Sequence, residues 1–287
     1  MKWRGRRQSG NIEDRRGRGG GGMVRMGGGG GLLLIAIVII GSLLGFDMRG
    51  LLNGMMGSQM TGGSSTEITE QDQVEGEFVA TVLAETDDLW TEIFADQLNA
   101  DYPEPTLVLF KGVTQSPCGN ASGATGPFYC PGDNKVYLDT SFFTTLRNRM
   151  GAGGDFAAAY VVAHEVAHHV QNVTGTLQRA NQQRARVSER ESNAISVRIE
   201  LQADCLSGVW ARHAEDRGLL EEGDLGEAIN AAKQIGDDVL QANAGRTPSP
   251  HTFTHGTSEQ RQRWFARGYE EDDIRACDTF SPGYSQL

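Results

Sequence analysis

His164-Glu165-Val166-Ala167-His168 is the segment of this chain best equipped to do chemistry. On a helix, side chains four residues apart share a face, so the two imidazoles project toward one point. Two ring nitrogens held that way suit a zinc ion, with Zn–N bonds of about 2 Å. Glu165 lies one residue round from His164. It can reach a water at the metal without binding the metal, and serve as a general base while zinc brings the pKa of that water toward neutrality. The preceding residues Phe156, Ala157, Ala158, Ala159, Val161, Val162 and Ala163 are apolar and mostly small, as a buried catalytic helix requires. Polar groups embedded in such a run need partners. His169 is adjacent to His168 and faces away from the shared point.

A catalytic zinc needs a third protein ligand and an open fourth position. No His-x-x-Gly-x-x-His continuation follows the motif; Glu200-Leu201-Gln202-Ala203-Asp204 lies downstream instead. Glu200 and Asp204 are again four apart and share a face. A carboxylate on the metal, with a second accepting the free ring N–H of a ligating histidine, is a common division of labour. Glu200 is therefore assigned to zinc and Asp204 to orienting His164, with one zinc ion per chain. Ile195, Ile199, Leu206, Val209 and Trp210 imply that this helix is largely buried.

The elements that must position these residues are legible in outline. Val74, Phe78, Val82, Trp90, Phe94 and Leu98 approximate helical spacing, and Pro103 and Pro105 end that helix. Thr106–Phe110 and Lys135–Asp139 read as strands; the second is either an edge for pairing with an extended peptide or an ordinary core strand. Ser141–Met150 reads as a short helix. Asp155 is the expected N-cap of the helix carrying the motif, which runs to about Thr174 and stops at Gly175. Ser188-x-x-Glu191 is a capping box for a long helix to about Asp216; Asp224-x-x-Glu227 and Thr257-x-x-Gln260 open two more. The body, residues 68–287, is thus α+β and mostly helical with a small sheet.

The formal net charge is −11, but residues 1–26 hold eight basic and two acidic residues, leaving −17 for the remainder. So acidic a body argues against a nucleic-acid partner. Residues 1–31 are Arg- and Gly-rich and predict a disordered basic arm. Leu32–Phe46 is apolar and uncharged; residues 32–52 are read as a single transmembrane anchor, near the required length of about 20, and 53–67 as a flexible linker. Basic residues before the span place the N-terminus in the cytoplasm and the body outside. Cys118 and Cys130 close a short loop rich in Gly, Ser and Pro, which suits a disulfide in an oxidising compartment. Cys205 either pairs with Cys277 or is a small core residue.

Several of these segments resemble the bacterial "putative neutral zinc metallopeptidase" family. They are Trp3-Arg4-Gly5-Arg6-Arg7, Glu13-Asp14-Arg15-Arg16, Cys130-Pro131-Gly132-Asp133, Val136-Tyr137-Leu138-Asp139, the run from His164 to Gln171, and the run from Glu200 to Ala211. More broadly, the His-Glu-x-x-His and Glu-x-x-x-Asp pair is similar to the gluzincins. The resemblance implies a zincin-like fold, zinc, and hydrolysis of peptide or protein substrates. For a bacterial chain, the apolar run with its flanking arginines and the cysteines predict a single-pass inner-membrane protein with its catalytic domain in the periplasm. Phe253-Thr254-His255-Gly256…Arg261 is similar to the Thr-His-Pro…Arg segment of membrane-integrated gluzincins, with Gly256 in place of Pro. That likeness implies that His255 stabilises an oxyanion and that Arg261 braces the acidic site residues. The alternative expectation is a catalytically inactive, zinc-stabilised scaffold or adaptor of the cell envelope.

Overall fold

The computed structural model describes residues 1–17, 67–122 and 125–287. Met1–Arg15 and Thr69–Leu287 make one folded unit. The other unit, Arg16–Ile68, lies almost wholly outside the described residues, and with it the expected anchor and linker. Among the described residues no helix is long and apolar enough to cross a membrane.

The described strands are β1 (Ile12–Asp14), β2 (Thr106–Phe110), β3 (Val113–Ser116), β4 (Gly119–Ser122), β5 (Phe128–Cys130) and β6 (Lys135–Asp139). The main sheet has the order β1-β2-β6-β5; β1, β2 and β6 are parallel and β5 runs antiparallel to β6. β3 and β4 form a separate hairpin. Alternation along β2 and β6 sends Leu107, Leu109, Val136 and Leu138 into the main core with the helices. Val108, Phe110 and Tyr137 face a smaller core with Ala121 and Cys130.

Residues 1–31 were expected to be a structureless arm, and for the first fifteen this is corrected. Ile12–Asp14 pair with Leu107–Leu109. Trp3 is 7% exposed and meets the Phe78 ring edge-on at 5.5 Å. Ser9 Oγ donates to Asp87 at 3.0 Å, Arg6 pairs with Glu85 at 3.1 Å, and Lys135 Nζ reaches Glu13 at 2.7 Å. The segment is too polar to fold on its own, but its charges have partners supplied by the body.

The helices are α1 (Glu70–Ile93), α2 (Ser141–Asn148), α3 (Asp155–Val173), α4 (Thr176–Arg184), α5 (Glu189–Asp216), α6 (Asp224–Gln234), α7 (Asp237–Asn243) and α8 (Ser258–Glu271). The boxes Ser188–Glu191 and Thr257–Gln260 cap α5 and α8 as expected. Asp155 and Asp224 are not N-caps. Each is the first helical residue, after Gly154 and Gly223 in positive-φ conformations. The free N–H of Phe156 instead donates to Glu227 of α6 at 3.1 Å, so one helix caps another.

Two contacts fix α5 against its neighbours. A Cβ on Gly208 would lie 2.0 Å from the Phe265 carbonyl oxygen, and one on Gly268 would lie 1.8 Å from that of Cys205. The glycines let the α5 and α8 backbones touch, a closeness no larger residue permits. Cys205 also forms a disulfide with Cys277, and a second bridge joins Cys118 to Cys130.

Candidate metal centre

α3 and α5 pack side by side, and their facing sides carry the residues singled out above. His164, His168 and Glu200 each offer a ligand atom, and these atoms all lie within 4.8 Å of one another. His164 Nε2 is 3.2 Å from one Glu200 oxygen and His168 Nε2 is 3.6 Å from the other. Donors about 2 Å from a tetrahedral zinc are separated by about 3.3 Å, so the spacing fits that ion.

The opposite face of each ring is already committed. His164 Nδ1–H donates to Asp204 at 2.9 Å, the relation expected of Asp204, and His168 Nδ1–H donates to Gln171 at 2.9 Å. With both protons on Nδ1, both Nε2 lone pairs are left for a metal. Gln171 is held in turn, donating to the Ile199 carbonyl at 2.8 Å.

Asp204 is fully buried and accepts four bonds. Besides His164 these come from Tyr160 O–H at 2.5 Å and from Arg261 Nε and Nη2 at 2.8 and 2.9 Å. Burial pushes the Asp204 carboxyl up, but Arg261 and His164 outweigh it and hold it at about 2. Burial likewise opposes the Glu200 charge, and the histidines beside it keep its carboxyl well below the usual range. Arg261 therefore braces Asp204, and does not touch Glu200's metal-facing oxygens.

The pair opens into a cleft of about 740 Å³. Glu165, 7% exposed, lines it, and its carboxylate has no hydrogen-bond partner among the described residues. His255 lines the same cleft with its side chain 48% exposed. Its Nδ1–H donates to Asp237 at 3.1 Å, leaving Nε2 for a ligand. Asp237 Oδ2 also accepts the N–H groups of Thr254, His255 and Gly256. The Asp237 bond raises the His255 imidazole pKa. Gly256 has φ +93°, which proline, fixed near −65°, cannot adopt. This explains the departure from the Thr-His-Pro pattern.

Three residues of this centre escaped the sequence reading. Tyr160 and Gln171 had a signal, since they lie four before His164 and three after His168 on the same helical face. Asp237 had none, being brought to His255 only by the fold. His169, set aside, bridges Tyr129 O–H and the Pro103 carbonyl. Of the two roles open to Lys135–Asp139, the sheet order gives it the core one: β6 is interior, with β2 and β5 on its two sides, so it offers no edge to a peptide. The edge strand bordering the cleft is β5. A second carboxylate cluster, Asp155, Asp224 and Glu227, has a protein cation, the Met1 amino group, 2.9 Å from Asp155 and 3.1 Å from Asp224.

Two histidines and a glutamate on adjacent helices, with a free carboxylate beside them in a cleft, form a donor set that suits a zinc ion with a general base at its side. The chain belongs to the family described as "putative neutral zinc metallopeptidase", whose model matches residues 1–280. It is 43% identical over 286 residues to the uncharacterized protein YpfJ of Escherichia coli (strain K12), covering 98% of this chain and 99% of that one. It is 46% identical over 192 residues to the uncharacterized protein Rv2575 of Mycobacterium tuberculosis (strain ATCC 25618 / H37Rv), covering 63% and 64% respectively. No solved structure matches the chain.

Proposed function

We propose that this protein is a zinc-dependent endopeptidase. One observation carries the reading: two imidazole Nε2 atoms and one Glu200 oxygen converge with their rings already oriented, beside a Glu165 carboxylate that nothing else in the described structure uses. A structural zinc site has no need of Glu165, which argues against an inert scaffold.

When bound by His164, His168 and Glu200, zinc supplies Lewis-acid activation of water and of the scissile carbonyl. The chain does the rest. Glu165 takes a proton from water in the cleft and passes it to the leaving amine. His255 in its imidazolium form, with Nδ1–H fixed on Asp237, donates Nε2–H to the developing oxyanion. Peptide main chain adds along the outer edge of β5, whose Phe128 and Tyr129 line the cleft. Glu165→Gln keeps one zinc per chain and abolishes hydrolysis of a peptide library; full activity in that variant would sink the mechanism.

We further propose that the body lies in an oxidising compartment, a reading its two disulfides support. Because Met1–Arg15 shares a sheet and ion pairs with the body, it belongs on the same side. This replaces the expected split between a cytoplasmic N-terminus and a periplasmic domain.

A further inference from the structure

The cleft is mostly apolar around the metal centre, with Phe128, Phe142, Leu177 and Leu240 in its wall. Its carboxylates, Glu165 and Glu200, belong to the centre, and its Arg261 is committed to Asp204. Two further guanidinium groups line it, Arg184 at the end of α4 and Arg149 just after α2.

Arg184 is half-buried. Its Nε donates to Ser192 Oγ at 3.3 Å and its Nη1 to Asn181 Oδ1 at 3.2 Å, both neutral acceptors. Neither Arg184 nor Arg149 has a carboxylate within ion-pair distance among the described residues. Some arginines of this acidic body do pair, Arg6 with Glu85, Arg7 with Asp88 and Arg217 with Glu92, and Arg184 is set apart by lining the cleft of the metal centre. A partly desolvated guanidinium held by neutral groups keeps most of its demand for an anion, and its planar fork matches a carboxylate.

We infer that Arg184, assisted by Arg149, is a specificity-determining residue that selects peptides carrying a carboxylate close to the scissile bond. The inference rests on the peptidase reading and names its substrate class. Two sources present the same chemistry, an Asp or Glu side chain and a free C-terminus.

The test uses zinc-loaded, full-length Glu165→Gln protein and short fluorescein-labelled peptides read by anisotropy. Peptides matched as Glu against Gln report the side chain; those matched as free acid against amide report the C-terminus. A charge-assisted hydrogen bond at this site gives about 10-fold tighter binding of the acidic member of one pair. Adding Arg184→Gln brings that ratio close to one, and adding Arg184→Lys restores part of it. Zinc content and circular dichroism verify that each variant is folded. Equal binding of both pairs by the Glu165→Gln protein, which needs no Arg184 variant to observe, overturns the inference. So does a preference that survives Arg184→Gln. Failure of the peptidase reading shows separately, as wild-type protein that cleaves no peptide of either kind.

Discussion

Arg261→Met removes a guanidinium that is 2% exposed and bonds twice to the fully buried Asp204. Breaking a buried ion pair from one side costs about 3–5 kcal/mol, because the remaining charge is left uncompensated. Asp204 keeps Tyr160 O–H at 2.5 Å and His164 Nδ1–H at 2.9 Å, which places the expected loss at the lower end, about 3 kcal/mol. The same change loosens the carboxylate that orients His164, and disturbing such a partner weakens metal binding by about 10- to 100-fold. Urea unfolding of the zinc-free protein reads the first effect, and competition with a fluorescent chelator reads the second. Asp204→Asn added to Arg261→Met removes the stranded charge, so the double variant should lose less than the sum of the singles by more than about 1 kcal/mol. Strictly additive losses, or an Arg261→Met protein within about 0.5 kcal/mol of wild type, would refute the reasoning.

Gly208→Ala puts a Cβ 2.0 Å from the Phe265 carbonyl oxygen, which must push α8 outward. Helix propensity alone would gain about 1 kcal/mol, so a net loss of about 1–3 kcal/mol in urea, with weaker zinc binding, is the sign of the close crossing. Glu13 is held at about 2 by its bonds to Arg15 and Lys135. A carboxyl depressed on folding contributes stability above its unfolded pKa, near 4.5, that is lost as pH falls toward 2. Wild type should therefore lose more stability than Glu13→Gln between those limits, as measured by urea midpoints; parallel curves would contradict docking of β1. Cysteines placed at the exposed Gly10 and Glu222 should react with an impermeant maleimide from the same side of the membrane, and labelling from opposite sides would contradict the shared compartment.

The centre was legible because its chemistry is local. Helical spacing alone puts His164 with His168 and Glu200 with Asp204, and capping boxes mark the starts of α5 and α8. What escaped depends on the whole fold. β1 is three residues long and includes Glu13 and Asp14, so neither length nor hydrophobicity announces a strand; its stability comes from β2 and from Lys135. Asp155 has the chemistry of an N-cap, but Glu227 from a distant helix supplies the capping carboxylate and leaves Asp155 inside the first turn. Asp237 lies 18 residues from His255 and meets it through a loop that its own carboxylate organises. The role of Lys135–Asp139 stayed open because sequence shows that it is a strand, while only the sheet order shows that both its edges are taken.

X-ray absorption at the zinc edge, on protein purified without added metal, tests the three-ligand assignment most directly. Wild type should carry one zinc with two imidazole nitrogens and a carboxylate oxygen at about 2.0–2.2 Å. Glu200→Ala should lose the protein oxygen and most of the metal, while Glu165→Gln leaves the spectrum unchanged. A site with sulfur ligands, or a Glu200→Ala protein with unchanged zinc content and spectrum, would contradict the ligand set drawn from His164, His168 and Glu200.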